Sequence, residues 1–155
     1  MRLRVKVVRE AWADPRVALP TYATAGAAGA DLRANFAEAE RGAGLVMAPM
    51  ERRIIPTGLR VEIPEGFEMQ IRPRSGLALK HGLSLPNTPG TIDSDYRGPL
   101  GVLLINLGSG PAHIAHGARI AQAIVAPVVQ AEFALDDALS DTDRGAGGFG
   151  STGAG

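Results

Sequence analysis

Cysteine is absent from the 155-residue chain. Its absence excludes disulfide bonds, a thiolate nucleophile and cysteine-ligated metal centres. Lysine is almost as scarce, because Lys6 and Lys80 are the only two and the other basic residues are all arginines. Arginine carries a planar fork that suits phosphate and carboxylate groups. The same bias also follows from genome composition, so it does not decide between ligands.

Long apolar runs and an excess of one charge are also missing. No apolar segment approaches the roughly 20 residues that span a bilayer, and residues 1–9 alternate charged and aliphatic side chains, unlike a signal peptide. Acidic and basic residues number 16 each, so bulk charge indicates neither nucleic acid nor an anionic membrane as a partner. We therefore expect a cytoplasmic protein of single-domain size.

The sequence does contain many short β-prone segments separated by proline and glycine. Predicted strands are 3–7, 31–34, 52–55, 59–63, 67–71, 100–107 and 119–129. The nearly continuous apolar character of 100–107 predicts a strand buried on both faces. Residues 76–80 favour one helical turn, with Ser75 as its N-cap and Gly82 as its C-terminal stop. This pattern predicts an all-β sandwich or barrel.

The end of the chain differs in composition from the rest. Phe133 and Leu135 are expected to close a single folded domain of residues 1–135, followed by a glycine-rich segment 136–155. Residues 145–150 match G-x-G-x-x-G, but too few residues follow for the helix of a dinucleotide-binding unit. Two interpretations stay open. The segment is a frayed tail, or its polar groups wrap an anion while Phe149 stacks on a planar ring.

Segment 87–98, NTPGTIDSDYRG, combines turn formers with two carboxylates, a tyrosine and an arginine. Apolar runs at 83–85 and 100–107 flank it, which predicts a polar hairpin tip held by two buried strands. Two interpretations are open here as well, a solvated turn and a site presented by a rigid scaffold.

Two other positions each have a ligand-binding interpretation and a purely structural one. Arg74 and Ser75 precede the predicted helical turn, where a guanidinium, a hydroxyl and free N–H groups form either an anion site or a simple N-cap. Gln122 lies inside an apolar strand and needs a partner, which is either a core hydrogen bond or a ligand. His113 and His116 lie in a loop, and a metal site there is not expected.

Five segments in order resemble the motifs of the homotrimeric all-β dUTPase family, the deoxyuridine triphosphate nucleotidohydrolases. They are 25–33 (AGAAGADLR), 72–77 (RPRSGL), 90–98 (GTIDSDYRG), 117–122 (GARIAQ) and 144–153 (RGAGGFGSTG). The resemblance implies a distorted jelly-roll-like β-barrel with one very short helix. It also implies a flexible C-terminal arm, residues 136–155, that closes over an active site of a homotrimer with three shared sites.

The activity that the resemblance implies is hydrolysis of dUTP to dUMP and pyrophosphate, which keeps uracil out of DNA and supplies dUMP for thymidylate synthesis. Asp93 is then the general base that activates water for attack on the α-phosphorus. Mg²⁺ is bound mainly through the substrate phosphates and water, with no direct protein ligand, and Asp31 acts through metal-bound water. Asp95 is expected to be structural or solvated.

The binding residues follow from the same resemblance. Phosphate binding is implied for Arg74, Ser75, Gly76, Gln122, Arg144, Ser151 and Thr152. Binding of uracil and deoxyribose is implied for Asn87, Gly90, Thr91, Ile92, Tyr96 and Phe149, with Tyr96 under the sugar and Phe149 over the base.

Two rival functions remain to be weighed. A dCTP deaminase of the same fold needs a glutamate in the strand after the hairpin, and residues 99–105 contain no acid. A non-catalytic trimer that binds dUTP or a protein would not need Asp93, Tyr96 and the complete glycine-rich segment.

Overall fold

A computed structural model describes residues 3–148, and these residues form mainly β-strands. The strands are β1 (Lys6–Arg9), β2 (Thr21–Tyr22), β3 (Ala30–Arg33), β4 (Leu45–Met47), β5 (Arg52–Glu62), β6 (Phe67–Arg72), β7 (Leu83–Ser84), β8 (Gly90–Ile92), β9 (Leu100–Asn106), β10 (Ala112–Ile114) and β11 (Arg119–Pro127). One short helix, α1 (Ser75–His81), and a 3₁₀ turn at Glu38–Glu40 complete the described elements.

Three antiparallel sheets organise these strands. The first has the order β1-β5-β9-β7, the second β2-β3-β11-β6-β8, and the third pairs β10 with β4. The prediction of an all-β, jelly-roll-like fold is confirmed. Closure into a barrel is wrong for residues 3–148, because the strands hydrogen-bond in three separate sheets and no continuous ladder joins them.

The core lies between the sheets and is aliphatic. Leu100, Val102 and Leu104 of β9 are almost completely buried, whereas the alternate residues Leu103 and Ile105 are only half-buried. The predicted burial of this strand on both faces is therefore wrong for the single chain. An apolar run does not show which of its faces the same chain covers, since strand side chains alternate between faces.

Strand β5 corrects a second expectation. Pro56 was expected to separate two strands, but residues 52–62 form one strand with a register shift between Pro56 and Leu59. Proline lacks an N–H and is tolerated at such a bulge. Gly58 supplies the positive φ of +67° within it.

Helix α1 begins one residue earlier than expected, at Ser75 instead of residue 76. Arg74 is its N-cap in an extended conformation, and Ser75 is the first helical residue without a side-chain capping bond. Gly82 ends the helix in the left-handed conformation, with φ +67°. A Cβ at Gly82 would collide with the backbone of Gly108, so the predicted glycine stop is confirmed and has a packing reason.

Beyond Pro127 no strand follows in the described part of the chain. Phe133 and Leu135 are fully exposed, so they do not close the core of the single chain as expected. The domain boundary at residue 135 and the closure of an arm over a site stay predictions. Among residues 3–148, no helix has the length and apolarity to cross a membrane.

A buried carboxylate ties the N-terminal loop to the body. Asp14 accepts hydrogen bonds from the side chain and backbone of Arg16, and these bonds hold the pKa of Asp14 well below its usual range. His116 accepts a hydrogen bond at Nδ1 from the N–H of Phe36 and lies 3.2 Å from Asp14 through Nε2. An adjacent pocket of about 440 Å³ is therefore bordered by groups that already serve the fold.

Candidate active site

Segment 87–98 joins two neighbouring strands but is not a simple hairpin tip. β7 and β9 pair with each other, so the outer frame of the predicted hairpin is present. Between them, β8 crosses to the second sheet and pairs with β6 through Gly90 opposite Ile71 and Ile92 opposite Met69. The segment therefore bridges two sheets, which leaves an opening between them.

That opening is a pocket of about 360 Å³. It brings together the residues predicted for the base, the sugar and the chemistry: Asn87, Gly90, Thr91, Ile92, Asp93 and Tyr96. Its other wall is apolar and was missed by sequence reasoning: Ile54, Ile71, Leu85, Pro99, Gly101 and Leu103. These residues come from several separate strands and loops, and no local pattern marks them as lining a site.

Asp93 and Asp95 lie in different surroundings despite their spacing of two residues. Asp93 lines the pocket, and its carboxylate makes no hydrogen bond or ion pair with any residue of 3–148. Both aspartates are exposed, but Asp95 does not border the pocket. The turn that separates them is held by the N–H of Tyr96, which donates to the Asp93 carbonyl at 3.2 Å. Arg97 supports it by donating to the carbonyls of Ser94 and Tyr96.

Two contacts hold the hydroxyl end of the Tyr96 side chain in place. Its hydroxyl donates a hydrogen bond to the Pro99 carbonyl at 3.0 Å. Its ring lies against Gly98, where an added Cβ would overlap Cζ and the hydroxyl oxygen of the ring. Gly98 is thus needed for the ring to hold its place beside the pocket.

A charged cluster forms elsewhere on the second sheet. Asp31 of β3 lies with Oδ1 3.1 Å from Nε of Arg74 and with Oδ2 3.2 Å from Nη1 of Arg119. Arg74 also donates from Nη1 to the Arg119 carbonyl at 3.2 Å. Sequence reasoning singled out Asp31 and Arg74 but not Arg119, although Arg119 lies inside the recognised segment 117–122.

Gln122 borders the same cluster and has a protein partner. It pairs with Asp31 across β3 and β11, and its Nε2 donates to the Pro73 carbonyl at 3.0 Å. Gly29 lies directly against the Gln122 side chain, so that an added Cβ would overlap the amide oxygen. The amide therefore fixes the chain just before Arg74, while Ser75 and Gly76 are exposed in the first turn of α1.

The pocket and the charged cluster are separated within one chain. Ile92, which precedes Asp93, pairs with Met69, whereas Gln122 pairs with Arg72 on the other side of β6. Three residues along the strand and two strand spacings across it correspond to about 14 Å. The two groups of predicted site residues therefore lie on different parts of the second sheet in a single chain.

The predicted arm residues are only partly described. Arg144 is exposed and donates from Nε to the Gly147 carbonyl at 2.9 Å, within its own segment. Phe149, Ser151 and Thr152 lie outside the described residues, so their predicted roles stay predictions.

The donor groups fit a divalent cation that arrives with phosphate. Residues 3–148 hold no cluster of three or more His, Cys, Asp or Glu side chains able to bind a metal ion. Mg²⁺ is commonly bound by one or two carboxylates together with substrate phosphates and water. The carboxylate oxygens of Asp93 and Asp31 have this chemistry, although Asp31 is already paired with two arginines.

Comparisons with known proteins concern the sequence and the fold. The family model described as dUTPase matches residues 16–153. The chain is 67% identical over 155 residues to the deoxyuridine 5'-triphosphate nucleotidohydrolase of Dinoroseobacter shibae, covering 100% of both chains. It is 62% identical over 141 residues to the protein of the same name from Roseobacter denitrificans, covering 91% of this chain and 90% of that one. A solved structure of the Staphylococcus bacteriophage 80alpha dUTPase with dUPNHPP matches with a TM-score of 0.82 and 26% identity, over 97% of this chain and 99% of that chain.

Proposed function

The chain belongs to the dUTPase family, and from that premise we propose how it hydrolyses dUTP to dUMP and pyrophosphate. The observation that carries the proposal is the pocket beside Asp93. An unpaired carboxylate borders a small cavity whose other polar side is made of Asn87, Tyr96 and the backbone of 90–92. This combination provides a base next to a compartment of nucleoside size.

Asp93 acts as the general base. It accepts a proton from water as the new bond forms at the α-phosphorus, which is the work of a positioned carboxylate. Mg²⁺, when bound with the triphosphate, offsets the charge that develops on the leaving pyrophosphate. Asp31, on the phosphate side, would hold water around the metal ion.

The pocket selects the base and the sugar. Asn87 and the backbone of Gly90 and Ile92 pair with the uracil edge, and cytosine reverses the donor and acceptor pattern there. Each buried group left unpaired costs roughly 1–3 kcal/mol. Thymine keeps the pattern but adds a methyl group, which the tight backbone excludes sterically. Tyr96 lies under the deoxyribose and leaves no room for a 2′-hydroxyl.

The phosphates are held by groups outside the pocket. Arg74, Ser75, Gly76 and Gln122 bind them from the start of α1 and from β11. Arg144, Ser151 and Thr152 of the arm close over the outer phosphates, while Phe149 covers the uracil. The exposed first turn of α1 beside Arg74 supports this assignment, since free N–H groups there donate hydrogen bonds to an anion.

Two further observations support a homotrimer with shared sites. The pocket and the charged cluster lie about 14 Å apart in one chain, which favours a site that combines Asp93 of one chain with the phosphate groups of another. Exposed aliphatic side chains outside the pocket, such as Val8 at 59% and Val46 at 56%, also leave apolar surface that another chain could cover. The arm from residue 134 to residue 149 extends up to roughly 50 Å, enough to reach a third chain.

Release of pyrophosphate is the direct test of the activity. We expect release from dUTP with Mg²⁺, and little from dCTP, dTTP or UTP or after removal of the metal. Ammonia release from dCTP would instead indicate a deaminase. Binding of dUTP without turnover would indicate a non-catalytic trimer.

Mixed trimers test the sharing of sites. Assayed well below saturation with dUTP, Asp93→Asn chains are expected to be nearly inactive because the base is missing, and Arg74→Ala chains because they bind the substrate weakly. Unfolded and refolded together at equal amounts, they should recover about one quarter of native turnover, the statistical share of sites that combine an intact Asp93 with an intact Arg74 from a neighbour. Mixing without refolding is the control. No recovery in properly assembled mixed trimers would place the whole site in one chain.

A further inference from the structure

Two arginines converge on one carboxylate at the phosphate end of the site. Asp31 is 14% exposed in its side chain, and each of its oxygens faces a different guanidinium, that of Arg74 or that of Arg119. Arg74 is also tied to the Arg119 backbone through a hydrogen bond to its carbonyl. The three residues therefore form one unit, in which a negative group lies between two forks that point at it.

The guanidinium forks would bind a phosphate in the same way. Carboxylate and phosphate oxygens are both acceptors for the parallel N–H groups of arginine. The arginine side chains are partly exposed, at 26% for Arg74 and 46% for Arg119. Ion pairs with this much solvent access are weak, so a more highly charged anion displaces the carboxylate readily.

We propose that Asp31 occupies, in the free protein, the place of a phosphate group between Arg74 and Arg119, and that triphosphate binding exchanges this carboxylate for phosphate oxygens. The proposal rests on the proposed function, because it assumes that the triphosphate binds beside Arg74. It adds Arg119 as a second guanidinium of that site. It also predicts that Asp31 weakens phosphate binding, because its charge competes with the substrate's phosphates. A purely structural residue would not weaken that binding.

The substitution Asp31→Asn distinguishes competition with phosphate from a purely structural role of Asp31. The substitution removes the charge and keeps the shape, so both arginines become available to an anion. Titration calorimetry with inorganic tripolyphosphate, on the full-length trimer in the presence of a chelator, should show binding tighter by about fivefold, the effect of removing one partly exposed like charge. Glu62→Gln is the matched control, because it neutralises a carboxylate paired with Lys6 on the other sheet. Unchanged or weaker binding in Asp31→Asn would overturn the proposal.

Arg119→Gln provides an independent measurement. In the native chain the loss of this guanidinium should weaken tripolyphosphate binding by about threefold, and in the Asp31→Asn background by about tenfold, because Arg119 is then no longer paired with the carboxylate. Arg53→Gln removes an equally exposed, salt-bridged guanidinium as the control. Equal losses in both backgrounds would contradict the exchange. Native turnover of dUTP measured in parallel distinguishes this failure from a failure of the proposed function.

Discussion

The nucleoside pocket and the charged cluster differ in the chemical groups that form them. Among the residues that line the pocket, Gly90, Leu85 and Ile71 are buried, whereas Ile54 and Tyr96 are 71% and 41% exposed. The charged cluster consists of long side chains that hold each other by ion pairs at 3.1–3.2 Å and reach partly into solvent. Packed backbone resists displacement, whereas exposed ion pairs rearrange at little cost.

Under the proposed function, this difference would give the two regions separate tasks. A rigid wall discriminates between bases and sugars, because a misfit cannot be relieved by local movement. Adjustable guanidiniums bind charge wherever the phosphates place it, and they contribute little to the choice of base. Changes at the pocket should therefore alter selectivity or chemistry, and changes at the cluster should alter affinity. The predictions below test this division in order of expected effect.

Asp93→Asn should produce the largest effect. Loss of the base lowers kcat by on the order of 1,000-fold, while the dissociation constant of a non-hydrolysable dUTP analogue stays within about twofold of the native value, since amide and carboxylate are similar in shape. Stopped-flow turnover and calorimetry measure the two quantities. Asp95→Asn, outside the pocket, should turn over normally. Native turnover in Asp93→Asn would exclude the base mechanism.

Truncation after Asp143 should leave both regions in place and still reduce kcat on the order of 100-fold, because it removes the groups proposed to close over the bound nucleotide. Sedimentation should show the trimer still assembled. A truncated protein with native kcat would remove the arm from the mechanism and leave the pocket and the cluster sufficient for catalysis.

Gly98→Ala should weaken the selectivity of the pocket. The added Cβ would lie 2.5 Å from Cζ of Tyr96 and must displace the ring. We expect kcat/KM for dUTP to fall about tenfold and its advantage over UTP to narrow. Competition assays with both nucleotides measure the ratio. Gly110→Ala, where no atom lies within 4 Å of the new Cβ, is the control. An unchanged ratio would show that Tyr96 does not exclude the 2′-hydroxyl.

Gly29→Ala should act on affinity without changing selectivity. The new Cβ would press on the Gln122 amide and break its bond to the Pro73 carbonyl. Losing one such bond corresponds to about a fivefold rise in KM for dUTP, with the ratio of dUTP to UTP unchanged. Gly26→Ala, with open space around its Cβ, is the control. A smaller preference for dUTP over UTP in Gly29→Ala would contradict the assignment of selectivity to the pocket and of affinity to the charged cluster.

Asp14→Asn should affect neither task, because Asp14 belongs to the N-terminal loop. Its pKa is held low in the folded chain by Arg16, so the unfolded state binds more protons below the usual carboxyl pKa of about 3.9. The stability of the native protein should therefore fall as pH drops below about 4. In Asp14→Asn this dependence of stability on acid pH should be weaker. The variant should also have a lower thermal midpoint at neutral pH. Thermal melts from pH 2 to pH 7 measure both. A native acid limb in the variant would exclude Asp14 as its cause.

Local patterns predicted some elements well and failed where packing decided. Gly82 was correctly expected to end α1, because a left-handed residue is a local requirement. Pro56 was expected to break a strand and instead lies in a bulge, since the partner strand β9 continues past it. Phe133 was expected in the core and is exposed, because apolar composition does not identify the chain that covers a residue.

The same limit of local sequence patterns applies to the candidate site. The sequence by itself determined the residue types and their order: a carboxylate and a tyrosine in a turn-rich segment, an arginine and a serine before a short helix, and an amide in an apolar strand. Only the tertiary structure decided that β8 crosses to the second sheet, that an apolar wall with Ile54 faces Asp93, and that Asp31 lies between Arg74 and Arg119. Residue chemistry is local, whereas these distances depend on strand pairings between residues that are far apart in the chain.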